Sequence, residues 1–486
     1  ATIEMDKHIG LEVLQAELSK IGDYKIENAG QHQTNEMAQN HHMGHNVQLK
    51  NSNIVPQELR IPPVLKPVYQ DSETVKYSLT AQEGVTEIFP GFETKTKGYS
   101  SSILGPAVIV KRNQNVEVEL INKLNESTTF HWHGLKIPAG VDGGPHDIIG
   151  TGKSSKVHFK VQQDSATLWF HPHPMGATAR QVYEGLAGLL VVQEENKNLV
   201  LPQDYGVNDI PVVVQDRYFT KDYQIDYEGV RDEDGTQGDT LMINGTVNPY
   251  FNFDNRWLRL RLLNGSNARN FEFYFENHLP FIQIASDGGL LEKPVKMTKI
   301  FMSPGERAEI LLDTSSIKAS SISLLHDRHR ILLINLTKGN MSDEVTLLPH
   351  VLNTFPHVVT DKLPVKKIEL YGMGKDVMID GKKFDMNRID LSQHLNSYEI
   401  WQVYNKPDSM GGMIHPFHIH GTQFRVLARD AKGPKENEYG WKDTVHIEAG
   451  ETISLLVNFE HKGVYMYHCH NLEHEENGMM GQIEIQ

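Results

Sequence analysis

The chain of 486 residues is longer than one hydrophobic core supports and suits two to four domains. Its 47 basic and 62 acidic residues leave a net charge of −15, which argues against nucleic acid or an anionic membrane surface as the main partner. No stretch approaches the roughly 18–20 apolar residues of a membrane span, and a single cysteine excludes any internal disulfide.

The opening residues, Ala1-Thr-Ile-Glu-Met-Asp-Lys-His8, have neither the basic nor the apolar region of a secretory signal. The chain is therefore expected to be cytoplasmic or the mature form of an exported protein. Residues 6–21 read as an amphipathic helix, with Asp6 as cap, Leu11, Leu14, Leu18 and Ile21 as one stripe, and Gly22 as stop. The polar tract behind it carries His32, Met37, His41, His42, Met43 and His45. It suits either a solvated linker or copper capture by imidazole and thioether. Together these form an N-terminal extension, 1–58.

From about residue 60 the texture changes to short β-rich runs separated by Gly, Pro, Asn and Asp, as in Ala107-Val-Ile-Val110 and Leu186-Ala-Gly-Leu-Leu-Val-Val192. Such runs indicate sandwiches or barrels. Val116-Glu-Val-Glu-Leu-Ile-Asn122 is echoed by Leu258-Arg-Leu-Arg-Leu-Leu-Asn264 and more loosely by Tyr398-Glu-Ile-Trp-Gln-Val-Tyr-Asn405. Glycine-led strands follow in each copy, at Gly152, Gly305 and Gly450. Three copies imply three repeated β domains, placed at 59–198, 199–354 and 355–486.

The first copy holds two His-X-His pairs, His131/His133 and His171/His173. The third copy holds two more, His418/His420 and His468/His470, and the middle copy holds none, as if it were a spacer. Eight imidazoles suffice for two three-coordinate metals and one two-coordinate metal. Around Cys469, a strand would turn His468 and His470 away from the thiol. His474 and Met479 follow at offsets of five and ten, and His415 is left over from its own motif. Thiolate, thioether and two imidazoles are the ligand types of a blue-copper centre.

These motifs resemble the multicopper oxidase family, three-domain type, most closely its bacterial laccases and copper efflux oxidases. The resemblance runs from about residue 60 to the end. It also rests on His131-Trp-His-Gly-Leu135, Val141-Asp-Gly-Gly-Pro145, Gly185-Leu-Ala-Gly-Leu189, Ala285-Ser-Asp-Gly-Gly-Leu290 and His415-Pro-Phe-His-Ile-His-Gly-Thr-Gln-Phe424. It implies an all-β fold of three cupredoxin-like Greek-key sandwiches behind a short helical extension. It also implies four copper ions: a type 1 site of His415, Cys469 and His474 with Met479 axial, and a type 2 site of His131 and His418. The type 3 pair would take His133, His171 and His470 on one copper and His173, His420 and His468 on the other.

The implied reaction takes single electrons from a small reductant at Cys469 and passes them over one residue to His468 or His470. Dioxygen is reduced there to water. Asp142 and Glu475 stand where this branch carries proton-relay acids, although Asp142 in Val-Asp-Gly-Gly-Pro could also merely shape a turn. Residues 356–400 hold only Met373, Met378 and Met386, without the methionine-rich lid of copper efflux oxidases. That favours phenols and aromatic amines as reductants, with Cu(I) oxidation in copper tolerance as the alternative. Met410, Met413 and Asp408 would stand at the mouth, and His326 and His329 are expected to be solvated.

Overall fold

The computed structural model describes residues 47–50, 54–193, 199–337, 348–409 and 411–486. The helix expected over 6–21, the tract 31–46 and Met410 lie outside them. Among the described residues the chain is nearly all β with two short α-helices, and no helix is long and apolar enough to cross a membrane.

Three hydrophobic cores follow along the chain, each closed between two sheets. The first runs from Val75 to Val192, the second joins Leu59 to the stretch Ile210 to Ile334, and the third spans Ile368 to Ile485. Gln57–Glu58 pairs in parallel with Pro249–Tyr250, so the segment leading into the first sandwich is laid on the second.

Each sandwich is built on one repeated unit. In the first, β1 (Thr74–Phe89) runs parallel to β2 (Asn115–Asn122), and β2 pairs antiparallel with β3 (Ser154–Lys160). The chain continues through β4 (Ala166–Phe170), α1 (Thr178–Tyr183) and β5 (Gly188–Gln193). In the second, β6 (Asp209–Arg217), β7 (Trp257–Asn264) and β8 (Arg307–Asp313) repeat the parallel and antiparallel pairings. In the third, β9 (Val365–Tyr371) and β10 (Tyr398–Lys406) are followed by β11 (His415–Ile419), β12 (Thr444–Ile447) and β13 (Thr452–Asn458), with β13 antiparallel to β10. The last elements are β14 (Gly463–Cys469), α2 (Leu472–Glu476) and β15 (Met480–Ile485).

Alternation explains these strands. In β2, Val116, Val118 and Leu120 are buried while Glu117 and Glu119 are partly exposed. The echo in β7 differs, because Arg259 and Arg261 are buried as well. The face that alternation would give to solvent is covered there by the first sandwich. Arg261 pairs with Asp209 and Glu309 and also donates to Thr167 Oγ1 at 2.8 Å.

Candidate metal centre

The candidate ligands of the third sandwich are sorted by strand alternation. In β14, Cys469 lies opposite Phe417 of β11, and His468 lies opposite His418. Cys469 and Phe417 enter the third core, and His415, two residues from Phe417, shares their face. His418 and His468 face the other way, toward the first sandwich. β14 stops at Cys469, one residue before His470. α2 then brings His474 back to the thiol, its first turn capped by the Asn471 side chain, which accepts from His474 N–H at 3.4 Å.

On the core face, Cys469 Sγ lies 3.5 Å from His415 Nδ1 and 3.8 Å from His474 Nδ1, all buried. Met479 is buried in the same core, and its carbonyl accepts from Cys469 N–H at 3.0 Å. Burial pushes the Cys469 thiol up and the His415 imidazole down, to about 4. A thiolate here needs a cation beside it, whereas the imidazoles arrive neutral with lone pairs to offer.

In the first sandwich, Phe130, Trp132 and Phe170 enter the core and so turn His131, His133 and His171 outward. Paired backbone hydrogen bonds of 2.8 and 3.1 Å tie His131 to His171. The imidazoles of the two end sandwiches then interleave. His131 stacks on His420 and His133 on His418, each pair with centroids 3.7 Å apart. Donor atoms converge in the sets His173, His420, His468; His131, His133, His171; and His131, His418, His420. The His470 ring lies 5.0 Å from that of His133 and 5.4 Å from that of His171.

Hydrogen bonding decides what these rings present. His131 and His418 donate from Nδ1 to the Asp142 and Asp443 carbonyls, His420 from Nδ1 to Asp142 Oδ2, and His468 from Nδ1 to the Cys469 carbonyl. His171 donates to the Pro172 carbonyl, and His133 donates from Nε2 to Asp443 Oδ1 at 2.8 Å. Six rings thus spend their proton outward and turn a lone pair inward. Burial foremost, and neighbouring imidazoles next, hold His133, His171, His418 and His420 well below the usual range, so none carries a second proton. Lone pairs then face each other at 3.0 Å, His420 Nε2 to His468 Nε2, and at 3.4 Å, His133 Nδ1 to His171 Nε2. His131 Nε2, His418 Nε2 and both nitrogens of His470 are buried without a partner. Facing lone pairs repel unless cations sit between them, and imidazole beside thiolate and thioether is a copper donor set. The residues fit the metal.

Two acids border the cluster. Asp142 Oδ2 lies 2.7 Å from His420 Nδ1 and 3.3 Å from His131 Nδ1. The turn itself is held by Asp147, which accepts from Gly143 N–H at 3.0 Å, so the Asp142 carboxylate is left for the imidazoles. Asp142 also lines an open cavity of about 420 Å³ with His146, Met386 and Met466. Glu475 is buried with its oxygens 3.4 Å from His173 Nε2 and 3.3 Å from His468 Nδ1. Burial, and then Glu476, push its carboxyl well above the usual range.

Three contributors carry no motif. Asp443 accepts from His133, Arg307 forks onto Asp443, and Asn471 N–H approaches Cys469 Sγ at 3.5 Å. The middle copy is therefore no spacer: Arg307 belongs to β8 and reaches the cluster. A visible signal existed, since an arginine inside Arg307-Ala-Glu-Ile-Leu-Leu312 is out of place in a buried strand. His326 also departs from expectation. It is half-buried, accepts from Glu272 N–H at 3.1 Å and meets Phe271 edge-on, because it ends a hairpin strand packed on its own sheet.

Multicopper oxidase family models match residues 80–197, 208–322 and 358–486. A multicopper oxidase of Staphylococcus aureus is 45% identical over 88% of this chain and 92% of its own length. The crystal structure of a laccase from Pediococcus acidilactici superimposes with a TM-score of 0.88 at 43% identity, covering 91% of this chain and 96% of that one. A Campylobacter jejuni multicopper oxidase described as a metallo-oxidase gives 0.78 at 29% identity, covering 91% and 98%.

Proposed function

Since the chain belongs to the multicopper oxidase family and is an oxidoreductase using oxygen, we propose that its reductants are phenols and aromatic amines, as for a laccase. On this reading the domains divide at 59–198, 199–354 and 355–486. His415, Cys469, His474 and Met479 hold a type 1 copper, and His131 and His418 a type 2 copper. His133, His171 and His470 hold one type 3 copper, and His173, His420 and His468 hold its partner. Copper bound there supplies one-electron acceptance at the thiolate and four-electron reduction of dioxygen at the imidazoles.

The protein's own contribution is position. β14 sets the thiol and the His468 imidazole on opposite faces of one strand, joined by a few covalent bonds. A second connection runs beside them, because His468 Nδ1 donates to the Cys469 carbonyl at 3.0 Å. Burial raises the Glu475 carboxyl well above the usual range and so favours its protonated form, beside His173 and His468 where a proton donor is needed. Asp142 links the open cavity to His420 and hands protons in from solvent.

One observation favours organic reductants. The turn Gly374–Asp376 packs on α2, which carries His474, and the two methionines flanking it, Met373 and Met378, stand singly without further thioethers between them. Oxidation of Cu(I) is the second reading, favoured by the likeness to a metallo-oxidase and by the histidine and methionine tract 32–45. An absorption spectrum of the copper-loaded protein tests the centre itself: absence of the intense thiolate-to-copper band removes both readings. Rates on a phenol and on Cu(I), with and without residues 1–50, then separate them. Loss of Cu(I) oxidation alone on truncation selects the second.

A further inference from the structure

The middle sandwich donates no imidazole to the cluster, yet its Arg307 is wholly buried against it. Arg307 Nη1 and Nη2 fork onto the two oxygens of Asp443 at 2.7 and 2.5 Å. Its own backbone N–H donates to Asp287 Oδ1 at 2.7 Å, its Nη2 donates to the Asp287 carbonyl, and its Nη1 donates to the Gly305 carbonyl. Asp287 in turn faces Lys442 Nζ at 2.9 Å, on the stretch just before Asp443. The guanidinium is therefore fixed on both sides.

What it fixes is Asp443. This residue takes the Nε2 proton of His133 on a carboxylate oxygen and the Nδ1 proton of His418 on its backbone carbonyl. Thr444 Oγ1 braces the same corner, 3.0 Å from His133 Nε2 and 2.8 Å from Asp443 Oδ1. One residue thus sets the tautomer of a histidine from each end sandwich, His133 through the carboxylate and His418 through the backbone carbonyl, and the two rings stack at 10° between planes. Without Asp443, His133 has no carboxylate to hold its proton on Nε2, and Nδ1 loses its reserved lone pair. The fit is tight: a Cβ on Gly134, directly after His133, would lie 2.5 Å from Asp443 Oδ2 and 2.7 Å from Arg307 Nη2.

We propose that Arg307 and Asp443 are positioning residues of the histidine cluster, through which the middle sandwich orients His133 and His418 for metal. The proposal rests on copper occupying that cluster. It does not involve the thiol site, which shares no hydrogen bond with either residue among those described.

The test is copper content, spectrum and chelator resistance of Asp443→Asn, Asp443→Ala and Arg307→Lys beside the unaltered protein, each loaded with a copper(II) salt and challenged with EDTA. Expected is a blue band of unaltered intensity and a changed type 2 electron paramagnetic resonance signal. Copper is expected to leave the cluster at about 10- to 100-fold lower EDTA, the usual cost of losing a partner behind a metal ligand. Asp443→Asn keeps the shape of the site and carries the test if Asp443→Ala does not fold. Variants with the full copper load, wild-type EDTA resistance and an unchanged signal overturn the proposal. If the unaltered protein takes up no copper, the copper reading fails instead.

Discussion

Cys469 and Glu475 lie six residues apart, on either side of the turn that starts α2, and serve different ends of one transfer. Replacing Cys469 by Ser removes the soft ligand and leaves the eight clustered imidazoles intact. The expected result is loss of the blue band and of one copper per chain, with the remainder retained by elemental analysis. Replacing Glu475 by Gln, or Asp142 by Asn, keeps every donor but removes a proton carrier. Blue colour should persist while dioxygen consumption falls by about 10²-fold or more, the lower end of what general acid–base catalysis supplies. Unchanged consumption in both variants would exclude the two acids from the proton path.

At the level of strands, the site was legible wherever a period of two governs it. His-Cys-His predicts opposite faces, and the register of β14 against β11 places the thiol in the core with His468 outside it. The His-X-His pairs were equally plain, because the Phe and Trp beside them had to point inward. Asp443 was not legible, and Arg307 showed only as an arginine out of place in a buried strand; that the two meet leaves no local pattern, because they lie more than a hundred positions apart. The same limit applies to Arg259, Arg261 and Glu309, whose alternation looked solvent-facing until the first sandwich was laid over them. The Arg259 and Arg261 guanidiniums hold the Glu309 carboxyl at about 2 against the burial that opposes them. Replacing Glu309 by Gln leaves two buried arginines short of a partner and should cost about 3–5 kcal/mol at neutral pH. A carboxyl depressed on folding stabilises above its unfolded value and loses that contribution as pH falls toward its folded one. Chemical denaturation of the two proteins should therefore differ most above pH 4.5 and converge as pH approaches 2.

For the whole molecule, metal and fold should be linked, because one cluster draws imidazoles from both end sandwiches. Copper that binds only the folded chain adds about 2.7 kcal/mol when free metal reaches 100 times its dissociation constant. Calorimetry should show the unfolding temperature rising with copper and should show the first and third sandwiches melting together. Independent melting of the two in the loaded protein would contradict a shared site.

The contact between His133 and Asp443 spans 310 positions of sequence. Closing a loop of that length costs about 5 kcal/mol in chain entropy, and a ribosome adding roughly 5–20 residues per second needs about 15–60 s to cover it. For that interval His131, His133, His171 and His173 exist without the residues that complete their cluster. A metal ion arriving early meets half a site, in which His133 has no carboxylate to set its tautomer. Correct filling is thus a late event, reserved for a chain whose final strands are already in place.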